Sequence, residues 1–198
     1  MRSSKTERTR EHIIAATAPV FNRKGFAGTS ISDLTQATQL TSGSIYGNFG
    51  NKEEVALAAF DHNLAGVRRV VKDAVDRCVT NKDKLVMYIR AYHSSQDLNF
   101  PGGGCPMQNT LTEADDTHEG LRKRAAAGLL LWKKDLVTLI NKGIAENEFL
   151  ADTDADKIAL HIIALTEFGF LMGSATRSRR QVDELLDMAL EVVQKIFI

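Results

Sequence analysis

Apolar residues recur at steps of three and four along nearly the whole chain, and alternation of the strand type is scarce. That pattern predicts an all-α protein. Capping signals then divide the helical pattern. Ser30-x-x-Asp33, Asn51-x-x-Glu54, Thr80-x-x-Asp83, Asp116-x-x-Glu119, Thr153-x-x-Asp156 and Ser178-x-x-Gln181 each set a small polar residue three before an acceptor. This spacing satisfies free amides in a first helical turn. A first helix is predicted from about Ser4 to Lys24, bent at Pro19 and ended by Gly25. Helices at 31–38, 42–48, 52 to about 78 and 81–96 follow. The breaker cluster FPGGGCPM comes next, with Pro106 opening a short helix that ends near Glu113. Helices at about 117–146, 154–173 and 179–196 close the chain.

Near residue 55 short, capped, small-residue helices give way to long apolar ones. The expected organisation is a three-helix helix-turn-helix head over residues 1–55 on a larger helical body over 56–198. Only Gln39, Leu40 and Thr41 join the two short helices, which forces a sharp turn. Ile31, Leu34, Ala37, Leu40, Ile45 and Phe49 can meet the apolar face of the first helix in a compact core. The 42–48 helix then exposes Ser42, Gly43, Ser44, Tyr46, Gly47 and Asn48. Small residues let a helix seat closely in the DNA major groove, where hydroxyl and amide groups can read base edges.

Composition narrows the choice. With 43% apolar and 25% charged residues in 198, the chain can bury a sizeable core and is not disordered. Net charge is zero, so no overall basic field points to nucleic acid. Locally, Arg2, Lys5, Arg8, Arg10, Arg23 and Lys24 face only Glu7 and Glu11. That arm reads equally as a phosphate-facing patch or as a solvated terminus. No apolar run approaches the ~20 residues of a membrane span, and none is of signal-peptide type, so a cytoplasmic protein without membrane contact is expected. Cys78 and Cys105 make neither a metal-ligand spacing nor a disulfide framework. No metal and no cofactor are expected.

Residues 10–55 resemble the DNA-binding head of TetR-family transcriptional regulators. The resemblance rests on Phe21 with Lys24-Gly25-Phe26, on Thr29-Ser30 and Ala37, and on Gly43-x-x-Tyr46-x-x-Phe49-x-x-Lys52-Glu53. It covers about a quarter of the chain. Gln39 stands where the family usually has Gly, and Asn48 where His is common. The resemblance implies that Thr29 or Ser30, Tyr46 and Lys52 contact phosphates. It implies Thr41 as N-cap of the recognition helix, with Ser42, Gly43 and Ser44 nearest the bases. Asn48 can donate to a phosphate or a base; Tyr46 can also be read as a core aromatic.

One recognition helix spans too few bases for useful specificity, so a homodimer on a double-stranded palindromic operator is expected. Ile158, Ile162, Leu165, Gly169 and Met172 form one candidate interface stripe. Leu185, Leu186, Ala189, Val192 and Val193 supply another, and helix pairs from two protomers would make a four-helix bundle. Met107, Tyr88, Tyr92, His93, Trp132 and Phe168, with Met87 and Phe100, can line an effector pocket or simply fill the core. Cys105 precedes Pro106 at a helix start, where amide dipoles favour a thiolate, so it reads as a redox sensor or as a small buried thiol.

These readings converge on a ligand- or redox-responsive regulator, a repressor released from its operator when an effector binds or modifies the body. Two other functions stay open. One is a cysteine enzyme using Cys105 with His93 or His118 as base, which leaves the head unexplained. The other is a helical protein-binding adaptor. The expectation is a protein that is not an enzyme.

Overall fold

A computed structural model of the chain describes residues 4–97 and 102–198, with backbone alone over 92–97. Nine helices form among the described residues: α1 (Lys5–Gly28), α2 (Ile31–Thr38), α3 (Ser42–Asn48), α4 (Lys52–Val75), α5 (Asn81–Asp97), α6 (Pro106–Ala114), α7 (Glu119–Ala145), α8 (Ala155–Thr176) and α9 (Arg179–Gln194). They divide between two compact units. One comprises Met1–Gly66 with Pro101–Ala126, the other Val67–Phe100 with Ala127–Ile198.

The first unit is organised by α1, α2, α3 and the start of α4. Ser4 caps α1 in a full capping box with Glu7. The helix does not end at Lys24. It kinks at Gly25, whose φ of 71° suits a residue without Cβ, and resumes to Gly28. Ser30 and Asp33 form a second full box at α2, and Thr41 caps α3 by accepting the Ser44 amide at 3.2 Å. Gln39, between them, takes the left-handed conformation at φ 57° that glycine would adopt more cheaply. Ile13, Ala18, Phe21, Leu34, Ile45, Phe49, Val55, Ala56 and Ala59 form the core. Ile31 is not part of it: α2 turns Leu34 and Thr38 inward and leaves Ile31 exposed.

In the second unit α8 packs along α9. Ile162, Gly169, Leu186, Ala189 and Val193 are buried there within the single chain. Asp154 caps α8 through the Lys157 amide in place of the expected Thr153, while Ser178 starts α9 without a side-chain cap bond. Glu148 reaches the N-terminus of α5 and accepts from the Asn81 and Lys82 amides at 3.0 and 2.9 Å. Those amide bonds hold its carboxyl below the usual carboxylate range.

One sequence expectation needs correction. α8 is long and apolar enough to cross a membrane by length and composition. The reason lies in its two faces. One packs on α9, while Leu160, Ala164, Phe168, Leu171 and Ala175 stay exposed at three- and four-residue steps.

Candidate nucleic-acid interface

Two side chains of α1 set the geometry of the turn between α2 and α3. The Arg10 guanidinium donates to the Asn48 carbonyl at the end of α3 and lies 3.9 Å over the Phe49 ring. His12 Nε2 lies 2.8 Å from the Thr38 carbonyl at the end of α2. The last carbonyls of a helix lack intrahelical partners and carry its negative dipole end, so such groups both satisfy and orient it. Sequence reasoning counted Arg10 only as a charge on a basic arm. Its structural partner lies 38 residues away, beyond the reach of any local pattern.

With α3 pinned from one side, its other side is open. Ser42, Gly43 and Gly47 are exposed, and Ser44, Tyr46 and Asn48 are half-buried. Ile45 is the helix's one fully buried side chain. Tyr46 packs its ring against the core, and Asn48 turns its amide back on the Ser44 carbonyl at 2.8 Å. In chain order, Ser30 and Thr41 before α3 are exposed, and Lys52 after it is half-buried. Lys52 Nζ stands 4.5 Å above the Phe26 ring, a cation–π contact at the first turn of α4. In that turn the Asn51 side chain accepts from the Glu54 amide at 2.9 Å.

Thr29 departs from its expected role. It is 1% exposed, and its hydroxyl donates to the Gly25 carbonyl at 2.6 Å. The side chain is committed to the kink of α1, which leaves the exposed Ser30 as the hydroxyl available in that pair.

The Ser30 cap has its own electrostatics. Asp33 accepts from Lys24 at 2.6 Å and from the Ser30 amide at 2.8 Å. The Lys24 bond first, then those from Ser30, hold its carboxyl down at about 2 against an ordinary 3.8. The folded value lies below the unfolded one, so this contribution is complete above a pH of about 4 and lost as pH falls toward 2. Thermal melts across that window should steepen for the wild type and flatten for Asp33→Asn. Parallel curves would count against this role for Asp33.

The other candidate residues scatter. Met107 is buried in the first unit, two residues after Cys105, which N-caps α6 and is 5% exposed. In the second unit Trp132 is buried, and burial with the Asp135 carboxylate pushes the Tyr88 phenol up. Phe168 is half exposed. The side chains of Tyr92 and His93, and all of Phe100, lie outside the described residues. An open groove of about 360 Å³ occurs elsewhere in this unit, between α8 and α9, lined by Lys157, Ile158, His161 and Val192 among others.

The interface stripes also need sorting. Ile162, Gly169, Leu186, Ala189 and Val193 are already covered within one chain, so they are core between α8 and α9. Ile158, Leu165, Met172, Leu185 and Val192 are half-buried. The large apolar side chains that α8 and α9 leave exposed are Leu160, Phe168, Leu171 and Met188, and only Phe168 among them was singled out from the sequence, as a pocket residue.

A short helix packed into a three-helix core by one buried side chain, with its outer face open, has the form of a helix-turn-helix DNA-binding head. Family comparison agrees over both parts of the chain. Residues 13–59 match the model described as bacterial regulatory proteins, tetR family, and residues 81–189 match the tetracyclin repressor-like C-terminal domain. The chain belongs to the TetR family of transcriptional regulators. A solved TetR-family regulator from Cytophaga hutchinsonii is 50% identical, with 100% of this chain and 99% of that one covered at a TM-score of 0.96. The HTH-type transcriptional repressor DhaR of Mycobacterium sp. (strain GP1) is 23% identical over 93% of this chain and 91% of its own length. The fold is shared with the TetR-family regulator CifR, solved in a complex with 26 bp double-strand operator DNA. That likeness has 23% identity, covers 96% of this chain and 97% of that one, and has a TM-score of 0.79.

Proposed function

We propose that the protein is a cytoplasmic, non-enzymatic repressor that binds a palindromic operator as a homodimer and releases it when a small-molecule effector occupies the body. The single observation that carries this reading is the open outer face of α3, in which Ile45 alone is turned fully inward. Residues 1–55 act as the reading head, and 56–198 as the effector-binding and dimerisation domain. Ser42, Gly43 and Ser44 meet base edges, and Tyr46, Asn48, Thr41, Ser30 and Lys52 hold the flanking backbone. Repression is supported by the likeness to the transcriptional repressor DhaR, and operator binding by the CifR complex.

Dimerisation uses the outer face of α8 with α9. Leu160, Phe168, Leu171 and Met188 are large apolar side chains that α8 and α9 leave exposed in the single chain, and a second copy covers them as a four-helix bundle. Leu165, Met172, Leu185, Val192 and Ile158 flank that contact. An effector differing in affinity for the DNA-competent and incompetent arrangements of the two heads then shifts their balance.

The direct test is operator binding by a Lys52 variant. Lys52→Ala should weaken binding to every duplex alike and lower the slope of log K against log salt by about one per protomer. An unchanged slope would remove the phosphate role.

A further inference from the structure

The strongest feature outside the DNA-facing surface is a set of contacts from residues 102–118 to the end of α1. The Glu113 carboxylate, on α6, accepts from two consecutive backbone amides, Phe26 and Ala27, each at 2.7 Å. A side chain at Gly25 would collide with that carboxylate, so glycine there serves both the left-handed backbone and the approach of Glu113. At the other end of α6, the Asn22 amide donates to the Gly102 and Gly104 carbonyls at 2.7 and 3.1 Å. The Asn109 amide donates to Gly103 and back to the Asn22 carbonyl. All three loop glycines take positive φ, which lets the loop wrap the Asn22 side chain. After α6, His118 accepts the Leu121 amide at Nδ1 and sets its ring edge-on to Phe26 at 4.6 Å. His118 Nε2 then lies 3.8 Å from Glu53.

These contacts converge on the segment that holds the proposed phosphate contacts. Phe26 carries Lys52 on its ring, and the Gly25 carbonyl holds Thr29, the residue before Ser30. We propose that Glu113 is a positioning residue for DNA binding, fixing the Gly25–Ser30 turn and the Phe26 ring so that Ser30 and Lys52 reach the phosphates. This inference rests on the DNA-binding reading above.

The test uses the full chain and a duplex selected from a random library by the wild-type protein. Affinity is measured across a salt series for wild type, Glu113→Ala, Glu113→Gln and Asp61→Asn. The last removes an exposed ion pair with Arg124 in the same unit and serves as control. Glu113→Ala should lose affinity ~10-fold or more and show a shallower salt slope, by about one phosphate per protomer. Glu113→Gln keeps one acceptor and should fall between it and wild type, and the control should match wild type. Wild-type affinity and slope in Glu113→Ala would overturn the proposal. So would an affinity loss at unchanged slope with a lowered melting temperature, which marks a merely structural role. A wild type that selects no duplex overturns the DNA-binding reading itself and this proposal with it.

Discussion

Gly43→Glu should abolish specific DNA binding, by about a hundredfold or more, while the head stays folded. Gly43 lies in the first turn of α3, and a Cβ there meets nothing nearer than the Thr41 hydroxyl at 4.0 Å. The new carboxylate would sit at the positive end of the helix, where an acidic group contributes ~0.3–1 kcal/mol of stability. Leaving glycine in a helix costs a further ~0.5–1 kcal/mol relative to a residue with a Cβ. The free protein therefore gains or holds its melting temperature. In the complex the same group would face base edges and phosphates with no partner, and desolvating it there is strongly unfavourable. Fluorescence anisotropy with a selected duplex, paired with a thermal melt, separates the two effects. Undiminished binding would exclude this face, and a collapsed melt would mean that the site is structural.

The second large effect concerns assembly. Phe168→Glu combined with Leu171→Glu should convert the dimer to a monomer in sedimentation equilibrium. These side chains are 50% and 48% exposed in the single chain, so the substitutions leave the α8–α9 core untouched. In a dimer they would bury four carboxylates without partners, which opposes association. Operator affinity should fall by about two orders of magnitude or more, because the second head no longer binds at high effective concentration. A double variant that remains dimeric would move the interface to another face.

How much of this could be read from the chain depended on the range of the interaction. The α2 and α3 boundaries, the Thr41 cap and the Leu34, Ile45 and Phe49 core follow from spacing within a few residues, and all appear as expected. Gln39 in the left-handed turn was visible as a departure from glycine. The cap at α7 was not: Asp116 and Glu119 fit a capping pattern, yet His118 takes the role by accepting the Leu121 amide. Arg10, His12, Glu113 and Asn22 were missed as architecture because each finds its partner between 26 and 87 residues away. Helical periodicity reported that α8 is apolar on adjacent stripes but not which stripe meets α9. That choice left Ile162 and Gly169 in the core and Phe168 and Leu171 outside.

The claim on which the rest stands is that α3 enters the major groove, two copies to a site. Guanine N7 protection on a duplex selected by the wild-type protein tests it most directly, because N7 is reached from the major groove alone. Two protected clusters related by a two-fold axis, spaced by about one helical turn or a multiple of it, with Ser44→Ala losing protection at one base pair per half-site, are predicted. Selection of an asymmetric site with every N7 left reactive would contradict the account.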